Sequence, residues 1–166
     1  NTYLLQQFFS PHSNRRQDSW GGSREKRTRF PIEVLTKVQH VVAEKEASHF
    51  IIGYRFSPEE IEEPGIRFED TMFLLNTLAE YEPDYFHISA NSYQRTSIVN
   101  QEDTEPLINK YIKMQSAQLA KIPLIGVGSI AQRQDAEHDL QLGYDLLSVG
   151  KAYLLEPQWT DKISQN

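Results

Sequence analysis

Four short apolar runs, separated by longer helix-like segments, restrict this sequence more than any other feature. They occupy residues 49–54, 85–89, 123–127 and 145–149. Each is nearly continuous in apolar character and does not alternate. That pattern predicts strands covered on both faces, as in a parallel sheet. The intervening segments carry helical spacing. Ser23 is a candidate N-cap for a long helix reaching about residue 47, with Phe30, Val34, Leu35, Val38, Val41 and Val42 on one face. Residues 68–81 predict a second helix, with Met72, Leu75 and Leu78 inward. Residues 107–120 predict a third, and residues 134–141 a fourth, closed by Gly143 near its C-cap. A last helix begins near Ala152.

Strict alternation of strand and helix predicts an α/β fold with a parallel sheet and crossover helices. Two architectures satisfy it, a doubly wound open sheet and a (β/α)8 TIM barrel. No Gly-x-Gly-x-x-Gly follows a strand, so the dinucleotide fingerprint of the first is missing. A barrel spends about 30 residues per βα unit, so 166 residues hold about half of one.

Charge and composition remove several function classes. The formal net charge is −6, which argues against nucleic acid as a partner. No apolar run approaches the roughly 20 residues of a membrane span. With no cysteine, disulfides, thiolate metal sites and iron–sulfur clusters are excluded within this chain, and a reducing, cytoplasmic setting is expected. Basic residues crowd the start (Arg15, Arg16, Arg24, Lys26, Arg27, Arg29). Acidic ones crowd a later stretch (Glu59, Glu60, Glu62, Glu63, Glu69, Asp70). Both read as solvated faces. The chain opens on Asn1 rather than Met, so a piece of a longer protein is expected.

In a barrel, the loops after the strands carry the site. After the third run comes Gly126-Val127-Gly128-Ser129-Ile130, and after the fourth Gly150-Lys151. Glycines let backbone N–H groups approach an anion, and a lysine adds a full charge. Two such loops in consecutive units predict a phosphate site. Arg55 follows the first run, either as half of a structural salt bridge or as a cation aimed at an anionic ligand. Asn91, Ser92, Tyr93 and Gln94 follow the second run and are candidates for substrate contact or an ordinary loop. His87 lies within a strand and reads as a hydrogen-bonded core histidine. Near the start, Tyr3 is a candidate general acid.

The opening thirty residues are more specific. They run Asn1-Thr2-Tyr3-Leu4-Leu5, then Gln7-Phe8-Phe9-Ser10-Pro11. Asn14, Arg16, Asp18, Trp20, Gly21, Gly22, Ser23, Glu25, Arg27, Arg29 and Phe30 follow in register. This pattern resembles that of the Old Yellow Enzyme family of FMN-dependent ene reductases. Arg55 with Ser57-Pro58, Gly126 to Ile130, and Gly150-Lys151 follow in the family's order. Thr2 stands for the usual Gly, Trp20 for Tyr, Lys26 for Asn and Lys151 for Arg. Lysine keeps the charge but loses the bidentate fork.

The resemblance implies the C-terminal half of the barrel, from the end of strand 4 through the helix after strand 8, as one partial domain over residues 1–166. It implies FMN as cofactor, NADH or NADPH as reductant, and an activated alkene as the small-molecule substrate. In that scheme Asn1 hydrogen-bonds the substrate, together with a family histidine that would precede it. Tyr3 delivers a proton to the α-carbon. Arg55 stabilises negative charge on the reduced flavin, and Gly128, Ser129, Gly150 and Lys151 hold the phosphate. The polar opening loop becomes structural, with Arg16 and Asp18 bridging loop to barrel and Arg27 or Arg29 pairing with an acid on a neighbouring helix. Two other readings remain open at this point. One is an inactive half-barrel acting as a phosphate-binding, dimerisation or structural module that pairs with a second copy or the missing half. The other is half of an unrelated phosphate-binding barrel.

Overall fold

The computed structural model describes residues 3–47 and 49–164. Its centre is a sheet of four parallel strands: β1 (Gly53–Phe56), β2 (Tyr85–Ile88), β3 (Leu124–Val127) and β4 (Leu146–Ser148). The strands lie side by side in chain order, β1-β2-β3-β4, and every pair is parallel. A doubly wound sheet reverses its strand order at a switch point. Here each crossover steps in the same direction, as in half of a (β/α)8 barrel.

The helices are α1 (Leu4–Phe9), α2 (Arg24–Arg27), α3 (Arg29–Glu44), α4 (Phe68–Ala79), α5 (Leu107–Met114), α6 (Arg133–Leu142), α7 (Lys151–Leu155) and α8 (Trp159–Ser164). A short 3₁₀ turn, Leu119–Lys121, leads into β3. The long helix expected from Ser23 is interrupted at Thr28, whose hydroxyl bonds back to the Glu25 carbonyl at 2.6 Å. The third predicted helix stops at Met114 because Gln115 is extended. Gly143 closes α6 with φ 111°, in the left-handed C-cap anticipated for it. The helix α1 was not anticipated from the sequence.

One face of the sheet packs on helices. Tyr54, Phe56, Phe86, Ile88 and Leu124 are buried there with Met72, Leu75, Leu78 and Leu119. The opposite face is open. Gly53, Arg55 and Leu146 on it are exposed, and Tyr85, His87, Ile125 and Val127 are half-buried. Strands expected to be covered on both faces are therefore covered on one, because among the described residues no layer lies over the other. The same incompleteness shows on α3. Leu35 is buried, but Val38 and Val41, placed inward by their spacing, are exposed at the sheet's β1 side.

Charges in the opening stretch arrange themselves locally. Arg16 pairs with Asp18 within the loop, and both are exposed, so they do not bridge to the sheet. The cross-element ion pair is Arg24 to Asp70 at 3.5 Å, joining α2 to α4, with the Arg24 guanidinium 4.1 Å over the Phe73 ring. Arg27 is buried and donates to the Phe9 and Gly22 carbonyls at 2.7 and 2.6 Å. Arg29 donates to the Ser19 carbonyl. Asn14 ties the loop shut, its amide reaching the carbonyls of Phe8 and Trp20 at 2.6 and 2.7 Å. Phe30 stacks on Phe8 at 3.9 Å and meets Trp20 edge-on.

Glu59 and Glu60 depart from the solvated face expected of their acidic run. Both are buried. Glu60 accepts from Ser10 Oγ at 2.6 Å, Gln6 Nε2 at 2.8 Å and the Ile66 amide at 3.0 Å. Glu59 accepts from Ser97 Oγ and the Ile98 amide. Together they pin the loop after β1 to α1 on one side and to the loop after β2 on the other.

Candidate functional site

The C-terminal ends of the strands converge on one region. After β3 the chain turns through Gly128, with φ 99°, and Ser129, with φ 58°. Consecutive positive φ values make this a tight turn, and turns of this kind can present backbone N–H groups to an anion. Gly128 is required twice over. Its φ disfavours other residues, and a Cβ would lie 2.6–2.7 Å from the backbone of Asn91 and Ser92. The turn is held from that side by Ser129 Oγ donating to the Asn91 carbonyl and by the Tyr93 amide donating to the Gly128 carbonyl.

The loop after β4 meets this turn. Val127 to Ala131 and Ser148 to Ala152, with Leu155, enclose a cavity of about 530 Å³. Gly128, Ser129, Gly150 and Lys151, four positions expected at a phosphate, all line it. Gly150 has open space where a side chain would project. Lys151 is exposed at the start of α7, with no acidic partner among the described residues. A glycine-bearing turn, a lysine with no acidic partner among the described residues and room for a ligand fit a phosphate-bearing cofactor such as FMN.

Arg55 stands on the open face of β1, level with His87 on β2 in the strand register. It has no carboxylate within salt-bridge reach among the described residues, so a structural salt bridge is not its role here. His87 is not the hydrogen-bonded core histidine anticipated. It is half-buried on the same open face, and its Nε2 is enclosed without a partner. Burial, and next the Arg55 charge, hold its imidazole below the ordinary histidine value. The signal available in the sequence was its period-two offset from the buried Phe86 and Ile88.

The remaining candidates are less gathered. Tyr3 is 78% exposed at the start of α1. Asn1 lies outside the described residues. Asn91, Tyr93 and Gln94 act as a brace: Asn91 and Tyr93 hold the Gly128 turn, and Gln94 meets His138 of α6. Among the described residues no helix is long and apolar enough to cross a membrane.

The whole sequence, residues 1–166, matches the family described as NADH:flavin oxidoreductase / NADH oxidase. The chain is 64% identical over 162 residues to the NADH:acrylate oxidoreductase of Vibrio harveyi, covering 98% of this chain and 16% of that protein. It is 53% identical over 165 residues to the NADH:fumarate oxidoreductase of Klebsiella pneumoniae (strain 342), covering 99% and 18%. The chain thus spans less than a fifth of the length of either relative. In fold it matches an Old Yellow Enzyme homologue from Zymomonas mobilis with a TM-score of 0.69 at 18% identity, over 98% of this chain and 44% of that one.

Proposed function

The chain belongs to the NADH:flavin oxidoreductase / NADH oxidase family, the Old Yellow Enzyme relatives, and from that premise we propose that it is the C-terminal half-barrel of an FMN-dependent NAD(P)H oxidoreductase acting on electron-poor alkenes. In this reading residues 1–166 run from the end of barrel strand 4 through the helix after strand 8. The observation that carries it is the meeting of Gly128-Ser129 and Gly150-Lys151 on one cavity, with an unpaired Arg55 on the same sheet's open face. Acrylate and fumarate, in the names of the two relatives, are both alkenes activated by a carboxylate.

When bound, FMN supplies hydride chemistry between a nicotinamide and the alkene. The chain's own residues do the rest. The Gly128 and Ser129 amides and the Lys151 ammonium hold the phosphate group. Arg55 places a fixed positive charge where negative charge gathers, an arrangement already organised before reaction. Tyr3 supplies a proton to the substrate α-carbon through its hydroxyl, and Asn1 orients the activating group by hydrogen bonding.

FMN titration of the full-length protein tests the placement. Lys151→Ala removes a charge-assisted contact and is expected to weaken FMN binding roughly 10–100-fold. Lys151→Arg retains or tightens it through the forked guanidinium. Unchanged affinity in Lys151→Ala and in Arg55→Met together would overturn the assignment.

A further inference from the structure

The joint between α6 and β3 encloses a carboxylic acid that the phosphate and substrate roles leave unused. Asp139, on α6, has 0% of its surface exposed. Neither carboxylate oxygen has a hydrogen-bond partner among the described residues. It lies against Gly126 of β3: a Cβ there would sit 2.9 Å from Asp139 Oδ1 and 2.8 Å from the Tyr144 ring. The chain's own residues already seal this site, so a partner added over the open sheet face does not reach it.

The titratable groups facing Asp139 are both phenols. Tyr93 comes from the loop after β2 and Tyr144 from the segment before β4. Burial pushes both up; the Asp139 charge adds to it at Tyr144, and at Tyr93 the Asp135 charge adds first and Asp139 after it. On its own helix, His138 lies edge-on to the Tyr93 ring, and Asp135 is occupied by the amides of Ala131 and Gln132. No cation among the described residues pairs with Asp139. A dry, unpaired carboxylate is far more costly than a neutral acid, and burial pushes this carboxyl up to about 7.

A short path joins this acid to the anion-binding turn. Tyr144 packs beside Asp139 and donates from its hydroxyl to the Tyr93 carbonyl at 3.2 Å. The Tyr93 amide donates to the Gly128 carbonyl at 3.3 Å. We propose that Asp139 is a pH-sensitive latch beneath the turn: uncharged, it keeps α6 closed on β3, and on losing its proton to solvent it loosens that joint and, through Tyr144 and Tyr93, the Gly128-Ser129 turn.

The folded state holds the proton up to about pH 7, whereas the unfolded chain releases it near 3.8. The stability conferred is therefore complete below about pH 4 and is lost as pH rises to about 7, beyond which it levels off.

The full-length protein and its Asp139→Asn variant are compared by thermal melting and by amide hydrogen exchange. Between about pH 5 and pH 7.5 the wild-type midpoint is expected to fall by about 5 °C relative to the variant. Exchange protection at Gly128 and Ser129 is expected to drop as pH passes about 7 in wild type alone. The same pH dependence in both proteins would overturn the latch. If Asp139→Asn does not fold, infrared spectroscopy of wild type decides. A protonated-carboxyl carbonyl band that disappears near pH 7 supports the latch, and its absence at about pH 5.5 sinks it.

Discussion

Arg27 and Asp18 sit nine residues apart in the same charged stretch, yet their surroundings assign them opposite weight. Arg27 is buried, and its guanidinium satisfies two carbonyls, Phe9 and Gly22. Replacing it with Met strands both, and denaturant unfolding is expected to show a loss of about 2–4 kcal/mol. Asp18 is exposed beside Arg16, and exposed pairs contribute little. Asp18→Asn is expected to leave the denaturation midpoint close to wild type. A large loss would show that the loop depends on the Asp18 charge beside Arg16. The sequence identified this stretch as structural but could not rank its charges. Ranking requires burial, and burial depends on residues dozens of positions away. The same limit hid His87, whose neighbour across the sheet is Arg55. Because the Arg55 charge helps hold the imidazole below its ordinary value, Arg55→Met is expected to raise the His87 titration midpoint, as read by NMR. An unmoved midpoint would separate the two side chains.

At the scale of elements, legibility followed the physics of each signal. The four strands were found within a few residues because apolar continuity is a local property. The Gly143 stop of α6 was found because a left-handed C-cap needs little context. The break at Thr28 was missed because the apolar spacing begins only at Phe30 and leaves the polar segment from Ser23 to Arg29 without a period to read, and α1 was missed because its six residues are too short to show one. Glu60 was misread because an acidic run looks the same whether solvated or buried. In the fold it is the clasp between α1 and the loop that follows β1. Glu60→Ala removes the acceptor for Ser10, Gln6 and the Ile66 amide together. We expect it to cost about 2–4 kcal/mol in denaturant unfolding, whereas Glu62→Ala, at an exposed neighbour, changes little.

For the molecule as a whole, strand–helix alternation left open a barrel and a wound sheet, the family resemblance implied the barrel, and the strand order agrees with it. What spacing could not reveal is that, among the described residues, nothing covers one face of that sheet. Leu146 is 53% exposed on it, and Leu154 and Leu155 near the β4 side are 86% and 80% exposed. Apolar surface and two unpaired strand edges favour association. Residues 1–166 made alone are therefore expected to self-associate in sedimentation velocity and to bind an apolar dye. A monomer that ignores the dye would show that the face is closed by some rearrangement.

The uninterrupted order of the four strands also acts as a ruler. Neighbouring strands are about 4.8 Å apart, so β1, bearing Arg55, and the end of β4, leading to Lys151, stand roughly 14 Å apart along the sheet. With no strand inserted and none skipped, that span is fixed by the backbone and does not depend on side-chain choice. On the proposed reading, a ligand held by both Lys151 and Arg55 keeps its two recognised ends apart by a distance set by this strand spacing together with the reach of the two side chains.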